Sequence, residues 1–312
     1  MKRFNRIATR IAILATLCVT SMVSNSAAQL FETNVAPNPR SLARGQAMTA
    51  VADDAWSYFY NPAMLPHLDM FKGGVSTVEP HQLSFHRQTT LAVASPLQGN
   101  LGGVSFGWRH YSVESGSTDL VTENTLSIAH GFRLFEDAST SASIGWALNL
   151  YHVSFAPSIG TGGGVGGIDP GGDWTAGIDV GAVVSVYERT WVGFFTRNLN
   201  TPEIGVDGEE LQRTVGVGLG YQPYPGVVTA FDVRSSINEK VRILGGLEFE
   251  VVPQLEVRFG LETEPSKVTG GFGVNFPYVS VDYGFSSGGG TLNATHQFGL
   301  TTSLDLLKGD TP

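Results

Sequence analysis

The chain has 312 residues with 39 glycines, and 10% of its residues are aromatic while only 15% are charged. Its formal net charge of −9 at pH 7 argues against a nucleic-acid partner, because neutralising phosphates takes clustered Lys and Arg side chains. The mean hydropathy of +0.04 is high, yet beyond residues 1–28 no run of about 18 apolar residues predicts a transmembrane helix.

Residues 1–28 have the organisation of a secretory signal peptide. Its positive n-region comprises Lys2, Arg3, Arg6 and Arg10. An apolar stretch follows over 11–23, and Ser26 and Ala28 suit a small-residue cleavage site. A single-pass anchor is the alternative, but the apolar stretch is too short to span a bilayer. The only cysteine, Cys18, lies in this segment, so the exported chain is expected to have no disulfide.

Residues 38–65 predict a short helix followed by a turn. Asn38 can cap the helix and Pro39 can occupy its first turn, where a missing N–H costs nothing. A narrow apolar face recurs at three- and four-residue spacing, formed by Leu42, Ala43, Ala47, Ala50 and Val51. Because so short an amphipathic helix is not stable alone, it must pack inside a larger structure.

An acidic pair and a proline turn close this stretch. Asp53 and Asp54 follow the C-terminal end of the predicted helix, where the helix dipole disfavours negative charge, so we expect them to contact cations elsewhere. Asn61, Pro62 and Ala63 predict a turn, since proline pushes the residue before it out of the α region.

The rest of the chain alternates between apolar and polar residues with period two. In 255–262, for example, one face carries Leu255, Val257, Phe259 and Leu261, and the other carries Glu256, Arg258, Gly260 and Glu262. Such segments are strands with one apolar and one polar face, which suits either a soluble sandwich or a membrane barrel with a polar lumen. The export signal, the aromatic content and the glycine-rich second face favour the barrel.

The alternating segments number about fourteen, an even count as bacterial barrels require. They lie near 71–79, 88–97, 101–113, 121–132, 140–154, 173–186, 190–200, 212–222, 226–236, 240–251, 254–263, 267–276, 278–286 and 293–304. Tight connections alternate with longer ones at 80–87, 114–120, 155–172, 201–211 and 287–292, as in outer-membrane barrels with short periplasmic turns. The predicted fold is therefore all-β, a transmembrane antiparallel up-and-down barrel with a short N-terminal helical plug.

The plug stretch resembles the N-terminal hatch of FadL-like outer-membrane barrels, and especially of the PorV/PorQ branch. The matching hatch positions are Ser41, Leu42, Gly45, Ala47, Ala50, Ala52, Asp53, Asp54 and Ala55, followed by Asn61, Pro62 and Ala63. Two residues depart from the family pattern, since Arg44 replaces an apolar residue and Met64 replaces a glycine. The chain also continues past its last predicted strand to Pro312, whereas many such barrels end on an aromatic residue.

Inward-facing positions of the predicted strands carry charges of both signs. The candidate lumenal network comprises Arg109, Arg133, Asp179, Asp232, Arg242, Glu256, Arg258 and Asp282. Mixed charges on a lumen face indicate a solvated network that braces the plug, and a polar conduit or head-group site is the alternative. Asp53 and Asp54 are natural partners for these arginines, which would tie the hatch to the wall through charge-assisted hydrogen bonds.

Enzymatic motifs are not found. The seven histidines form no HExxH pair, and no Gly-x-Ser-x-Gly elbow occurs, so neither a metal nor a cofactor nor a catalytic residue is expected. A hydrolase site assembled from several strands is the remaining enzymatic alternative.

The predicted organisation is a signal peptide over 1–28, a plug over 29–68, an outer-membrane barrel over 69–306 and a tail over 307–312. The resemblance implies transport across, or secretion at, the bacterial outer membrane. PorV/PorQ proteins serve in type IX protein secretion and surface attachment, so their partners are secretion-system proteins. FadL-like proteins are instead passive channels for hydrophobic small molecules such as long-chain fatty acids, gated by the hatch. Outer-membrane lipid is expected around either barrel, and a soluble secreted β-protein is the third possibility.

Overall fold

The computed structural model describes residues 30–31, 34–116, 118–157, 171–187, 189–205, 208–237, 239–289 and 292–305. The chain divides into two units, 1–32 and 33–312, and all the elements given below belong to the second. The predicted signal peptide and the predicted C-terminal tail lie outside the described residues.

Two short α-helices precede the first strand, α1 (Pro39–Ala43) and α2 (Ser57–Tyr60), and a 3-10 helix follows over Pro62–His67. Asn38 caps α1 as predicted, since its side-chain oxygen accepts a hydrogen bond from Ser41 N at 2.7 Å. The predicted extension of α1 as far as Val51 is wrong. Gly45 and Gln46 have φ of 58° and 57°, a left-handed pair that turns the chain immediately after the helix. None of the described helices is long and apolar enough to cross a bilayer.

Fourteen antiparallel strands close into a barrel, and the predicted strand count is confirmed. They are β1 (Phe71–Val78), β2 (His86–Pro96), β3 (Gly103–Ser115), β4 (Thr118–Glu136), β5 (Thr140–Phe155), β6 (Gly172–Val186), β7 (Thr190–Arg197), β10 (Thr214–Tyr224), β11 (Val227–Ser236), β12 (Arg242–Val252), β13 (Leu255–Glu262), β14 (Lys267–Asn275), β15 (Val279–Ser286) and β16 (Thr295–Leu304). Closure comes from β1 pairing with β16, where Phe71 lies opposite Leu304.

Two features of the strands differ from the prediction. The connection between β7 and β10 contains a separate two-stranded sheet, β8 (Glu203–Ile204) with β9 (Glu209–Glu210). Strand β3 ends at Ser115 and strand β4 begins at Thr118, so the longer loop predicted over 114–120 is wrong. The two strands stay paired as far as Ser115 opposite Thr118, so their backbone groups remain hydrogen-bonded to each other there.

The barrel has one end with short turns and one end with mostly longer connections. β1 begins and β16 ends at the short-turn end. Several short turns carry exposed aromatic side chains. Tyr187 and Tyr224 are each 72% exposed, and Tyr278 is 69% exposed. Between the two ends, large apolar side chains such as Leu219 and Phe259 point outward, while glycine and charged residues point inward.

Candidate functional site

Residues 34–70, called the inner segment below, lie inside the barrel against the inward faces of its strands. The inward glycines allow the two backbones to approach each other closely. A Cβ added at Gly284 would lie 2.5 Å from Pro39 O, and one at Gly103 would lie 2.3 Å from Leu65 O. The glycine-rich inner face noted in the sequence is therefore the surface on which the inner segment packs.

Polar side chains of the wall bind the backbone carbonyls of the inner segment. Gln88 and Gln297 each donate through Nε2 to Ala36 O, at 3.0 and 3.1 Å. Thr269 Oγ1 donates to Ala43 O at 3.0 Å. An irregular buried backbone needs such partners, because a carbonyl left without a hydrogen bond in the interior is costly. The wall thus supplies the hydrogen bonds that a longer helix would have made internally.

Asp232 is a second type of attachment, in which a wall carboxylate accepts from the inner segment. Its Oδ2 accepts from Met48 N and Thr49 N at 3.0 Å each, and from Thr49 Oγ1 at 2.6 Å. Arg234 NH2 donates to the same oxygen at 3.0 Å. The Asp232 side chain is fully buried, so these four donors replace the water that would hydrate Oδ2, while Oδ1 is buried without a hydrogen-bond partner among the described residues.

Glu248 on β12 joins two arginines of the inner segment to one arginine of the wall. Arg40 donates to it through Nε at 2.8 Å and NH2 at 2.7 Å, and Arg258 Nε donates at 2.7 Å. Arg44 NH1 lies 3.8 Å from Glu248 Oε1, and none of the Arg44 side-chain nitrogens has a hydrogen bond among the described residues. Burial lowers the pKa of Arg44 from its usual value, while Glu248 opposes that shift.

Arg258 extends this network to the remaining acids of the same wall. Its NH1 donates to Asp282 Oδ1 at 2.6 Å, and its NH2 donates to Glu256. Asn275 Nδ2 donates to the other oxygen of Glu256 at 3.0 Å. Three of the predicted lumenal residues, Glu256, Arg258 and Asp282, therefore meet at one place on the inner face.

The predicted partners of the acidic pair are wrong. Asp53 pairs with Arg40, which belongs to the inner segment itself. Asp54 accepts from Asn38 Nδ2 at 3.0 Å and from Trp56 N at 2.8 Å. Both carboxylates therefore fold the inner segment on itself. At Glu248 the polarity is the opposite of the predicted one, with the cation Arg40 on the segment and the carboxylate on the wall. Burial raises the pKa of Asp54, against the opposing effect of Arg40.

The Asn-Pro-Ala turn is buried, and its Asn61 side chain connects two parts of the inner segment to each other and to the wall. Asn61 Nδ2 donates to Thr49 O at 2.8 Å and to Ala182 O on β6 at 3.2 Å. Its Oδ1 accepts from Ala63 N at 3.1 Å, which caps the 3-10 helix. The other hatch positions, Ser41, Leu42, Gly45 and Pro62, are buried as well.

The remaining predicted lumenal residues are distributed around the inner face. Asp179 lies 3.6 Å from Arg197 Nε and accepts from Asn198 N at 2.8 Å. Arg109 lies over the ring of Phe59, 5.7 Å from its centroid, and Arg197 lies 4.1 Å from the same centroid. Arg242 NH2 pairs with Glu262 at 2.8 Å.

Arg133 lies near the short-turn end, where it contacts the 3-10 helix. Its NH1 pairs with Glu136 at 2.7 Å, and its NH2 donates to Pro66 O at 3.1 Å. His67 nearby makes a hydrogen bond of 3.1 Å between Nε2 and Ser143 Oγ. Burial, and then the charge of Arg133, lowers the pKa of His67 to about 4. His67 is therefore neutral at physiological pH.

Several residues that hold the inner segment were not predicted as site residues, among them Arg40, Gln88 and Gln297. Gln88 and Gln297 face inward by the strand alternation, which is the signal that could have found them. Arg40 has no such signal, because its role depends on where α1 lies against β12.

Two of the cavities at the short-turn end lie on either side of Asp53. One, of about 330 Å³, is bordered by the Arg40 and Arg258 network and by Lys72. The other, of about 360 Å³, is bordered by Val51, Met64 and Trp191.

These features define a closed antiparallel barrel whose interior is occupied by an N-terminal segment. Among solved structures, the fold is similar to the toluene transporter TbuX of Ralstonia pickettii, with a TM-score of 0.55 and 14% identity over 85% of this chain and 97% of that one. It is also similar to the toluene transporter TodX of P. putida, with a TM-score of 0.55 and 12% identity over 86% of this chain and 98% of that one. A FadL homologue from Pseudomonas aeruginosa is similar with a TM-score of 0.54 and 12% identity over 86% of this chain and 98% of that one. No protein-family model and no curated protein matches the chain.

Proposed function

We propose that the protein is an outer-membrane β-barrel that works in transport across, or secretion at, the bacterial outer membrane. The barrel carries its large apolar side chains on the outside, where hydrocarbon would cover them, and its charges inside. Aromatic residues at the short turns suit the membrane interface. Three of the similar structures are named as two toluene transporters and a monoaromatic hydrocarbon channel, which supports the same setting.

Within this setting we propose the PorV/PorQ type of role, in which the barrel acts by binding secretion-system proteins. The observation that carries this proposal is the filling of the interior. The inner segment is attached to β11 through Asp232 and to β12 through Glu248. It also contacts the wall backbone directly at inward glycines, as at Gly103. A barrel built around so many attachments is suited to presenting a fixed surface.

The second candidate is a passive channel for hydrophobic small molecules, gated by the inner segment. The specific observation in its favour is the fold similarity to proteins named as toluene transporters and as a FadL homologue. In this role the inner segment would move to open a path, and the carboxylates of Asp232 and Glu248 would exchange their partners.

The first test asks whether the chain is a membrane barrel. Outer membranes are isolated from cells expressing the full chain, and migration on a detergent gel is compared before and after heating. We expect the protein in the membrane fraction with a heat-dependent shift. A purely soluble pool with no shift would refute the barrel in a membrane and leave the soluble secreted protein.

A second test separates the two finer roles. Purified protein in liposomes is assayed for uptake of a fluorescent fatty acid and of toluene, and tagged protein is recovered from its own host after crosslinking. The partner role predicts no uptake above empty liposomes and a defined set of crosslinked envelope proteins. Saturable uptake without crosslinked partners would favour the channel instead.

A further inference from the structure

The cavity of about 360 Å³ beside Trp191, called the mouth cavity below, opens at the short-turn end between the inner segment and the wall. One side is apolar and consists of Val51, Met64, Trp191 and Val228. A volume of this size lies in the range of small-molecule pockets. Nothing in the proposed role of the barrel uses this space.

Trp191 is an inward-facing aromatic side chain that is only partly buried. It points inward from β7, and it packs on the apolar cluster formed by Ala47, Ala50 and Val51 without being fully covered by it. Gly220 makes room for this arrangement, since a Cβ there would lie 2.2 Å from Val51 Cγ1 and 3.5 Å from Trp191 Cε3. An aromatic face directed neither at lipid nor into the packed interior is a surface on which a ligand can lie.

The rim of the mouth cavity carries more negative than positive charge. Asp53, Glu136 and Asp137 border it together with the single arginine Arg133, whose charge is matched by Glu136 at 2.7 Å. Asp137 accepts from Ser139 N and Thr140 N at 2.8 Å each, and these bonds lower its pKa, so it is anionic. Asp53 also borders the neighbouring cavity and pairs with Arg40 from that side.

We propose that the mouth cavity binds a small organic cation with an apolar body. The apolar body lies on the wall of Trp191, Met64 and Val228, and the cationic group lies at the carboxylates of the rim. The apolar body gains from contact with the tryptophan ring, and the cationic group gains from the Coulomb attraction of the carboxylates. The site is independent of whether the barrel binds partners or passes hydrophobic compounds, since it needs only the closed arrangement.

Three ligands with one apolar body and different head groups test the charge preference. The full-length protein in detergent is titrated with 4-phenylbutylamine, 4-phenylbutanol and 4-phenylbutyrate, and binding is measured by calorimetry against detergent alone. We expect the amine to bind about fivefold tighter than the alcohol, because the partly hydrated rim has one carboxylate more than its arginine partners neutralise. The acid should bind most weakly. Tightest binding of the acid, equal binding of all three, or no saturable binding would overturn the proposal.

Matched variants locate the site. Trp191→Leu should weaken amine binding about three- to tenfold through loss of the ring face, whereas Trp174→Leu, which removes an outward tryptophan on β6, should leave it unchanged. Glu136→Gln changes a side chain that is about half exposed, at 54%, so folding is retained. It should reduce binding of the amine and not of the alcohol. An equal loss in the Trp191 and Trp174 variants, or an unchanged amine affinity in Glu136→Gln, would place the binding elsewhere and refute the site.

Discussion

Replacing Glu248 by Gln tests whether the inner segment is held by charge. Glu248 accepts three hydrogen bonds from Arg40 and Arg258 at 2.7 to 2.8 Å, and its side chain is 8% exposed. Removing one partner of a buried ion pair costs about 3–5 kcal/mol, because the other charge is left in a poorly solvated site. We expect a loss of about 3 kcal/mol in the free energy of unfolding, since glutamine still accepts one hydrogen bond.

The assay is reversible urea unfolding of the full chain in lipid vesicles, followed by tryptophan fluorescence. Glu264→Gln is the matched control, because Glu264 pairs with Lys240 at 3.4 Å with both side chains well exposed. Such an exposed pair contributes about 0.2–1 kcal/mol. Arg40→Gln should fall between the two, since Glu248 keeps Arg258. If Glu248→Gln is no more destabilising than Glu264→Gln, the charge network does not hold the inner segment.

Two further predictions concern packing and pH. Gly145→Ala should cost about 1–3 kcal/mol by the same unfolding assay, because the added Cβ would lie 2.4 Å from Pro62 C, whereas Gly245→Ala has nothing within 4 Å and should be near neutral. For His67, whose folded pKa is lowered to about 4 from 6.5, the folded state binds fewer protons than the unfolded state between these values. The free energy of unfolding therefore has its full contribution from His67 above pH 6.5. That contribution falls as the pH drops toward 4, and about 1–2 kcal/mol of it is lost at pH 5. His67→Gln, which can keep the bond to Ser143, should flatten that fall, and an unchanged slope would contradict the assigned burial.

The strands could be predicted because period-two alternation is a local property. Each predicted segment needs only its own residues to show which side chains share a face, so all fourteen barrel strands were found. Strand parity also placed Asp232, Arg258 and Asp282 on the inner face, where the structure has them. The small sheet of β8 and β9 was missed because two-residue strands are too short to show alternation.

The path of the inner segment could not be predicted, because it depends on contacts far apart in the sequence. Apolar spacing suggested one helix through Val51, yet close approach to the wall at Gly45 ends it early, where a Cβ would lie 2.9 Å from Gly245 O. The pairing of Arg40 with Glu248 joins residues more than two hundred positions apart. Parity shows that Glu248 faces inward, but it does not show which part of the inner segment lies against it.

Both halves of the inner segment pack closely on inward glycines, but they differ in their attachment to wall carboxylates, and this difference limits how the barrel could open. The part around Arg40 and Met48 is attached to the carboxylates of Glu248 and Asp232. The part around Pro62 is fixed by close backbone contact with inward glycines such as Gly145. Lifting the first part would leave Asp232 with the bond from Arg234 and Glu248 with the bond from Arg258. Each buried carboxylate would lose its other donors unless water or a ligand replaced them, since a buried charge needs partners. Moving the second part breaks no contact with Asp232 or Glu248, so a path that opens without a replacement cation would follow the part of the inner segment around Pro62.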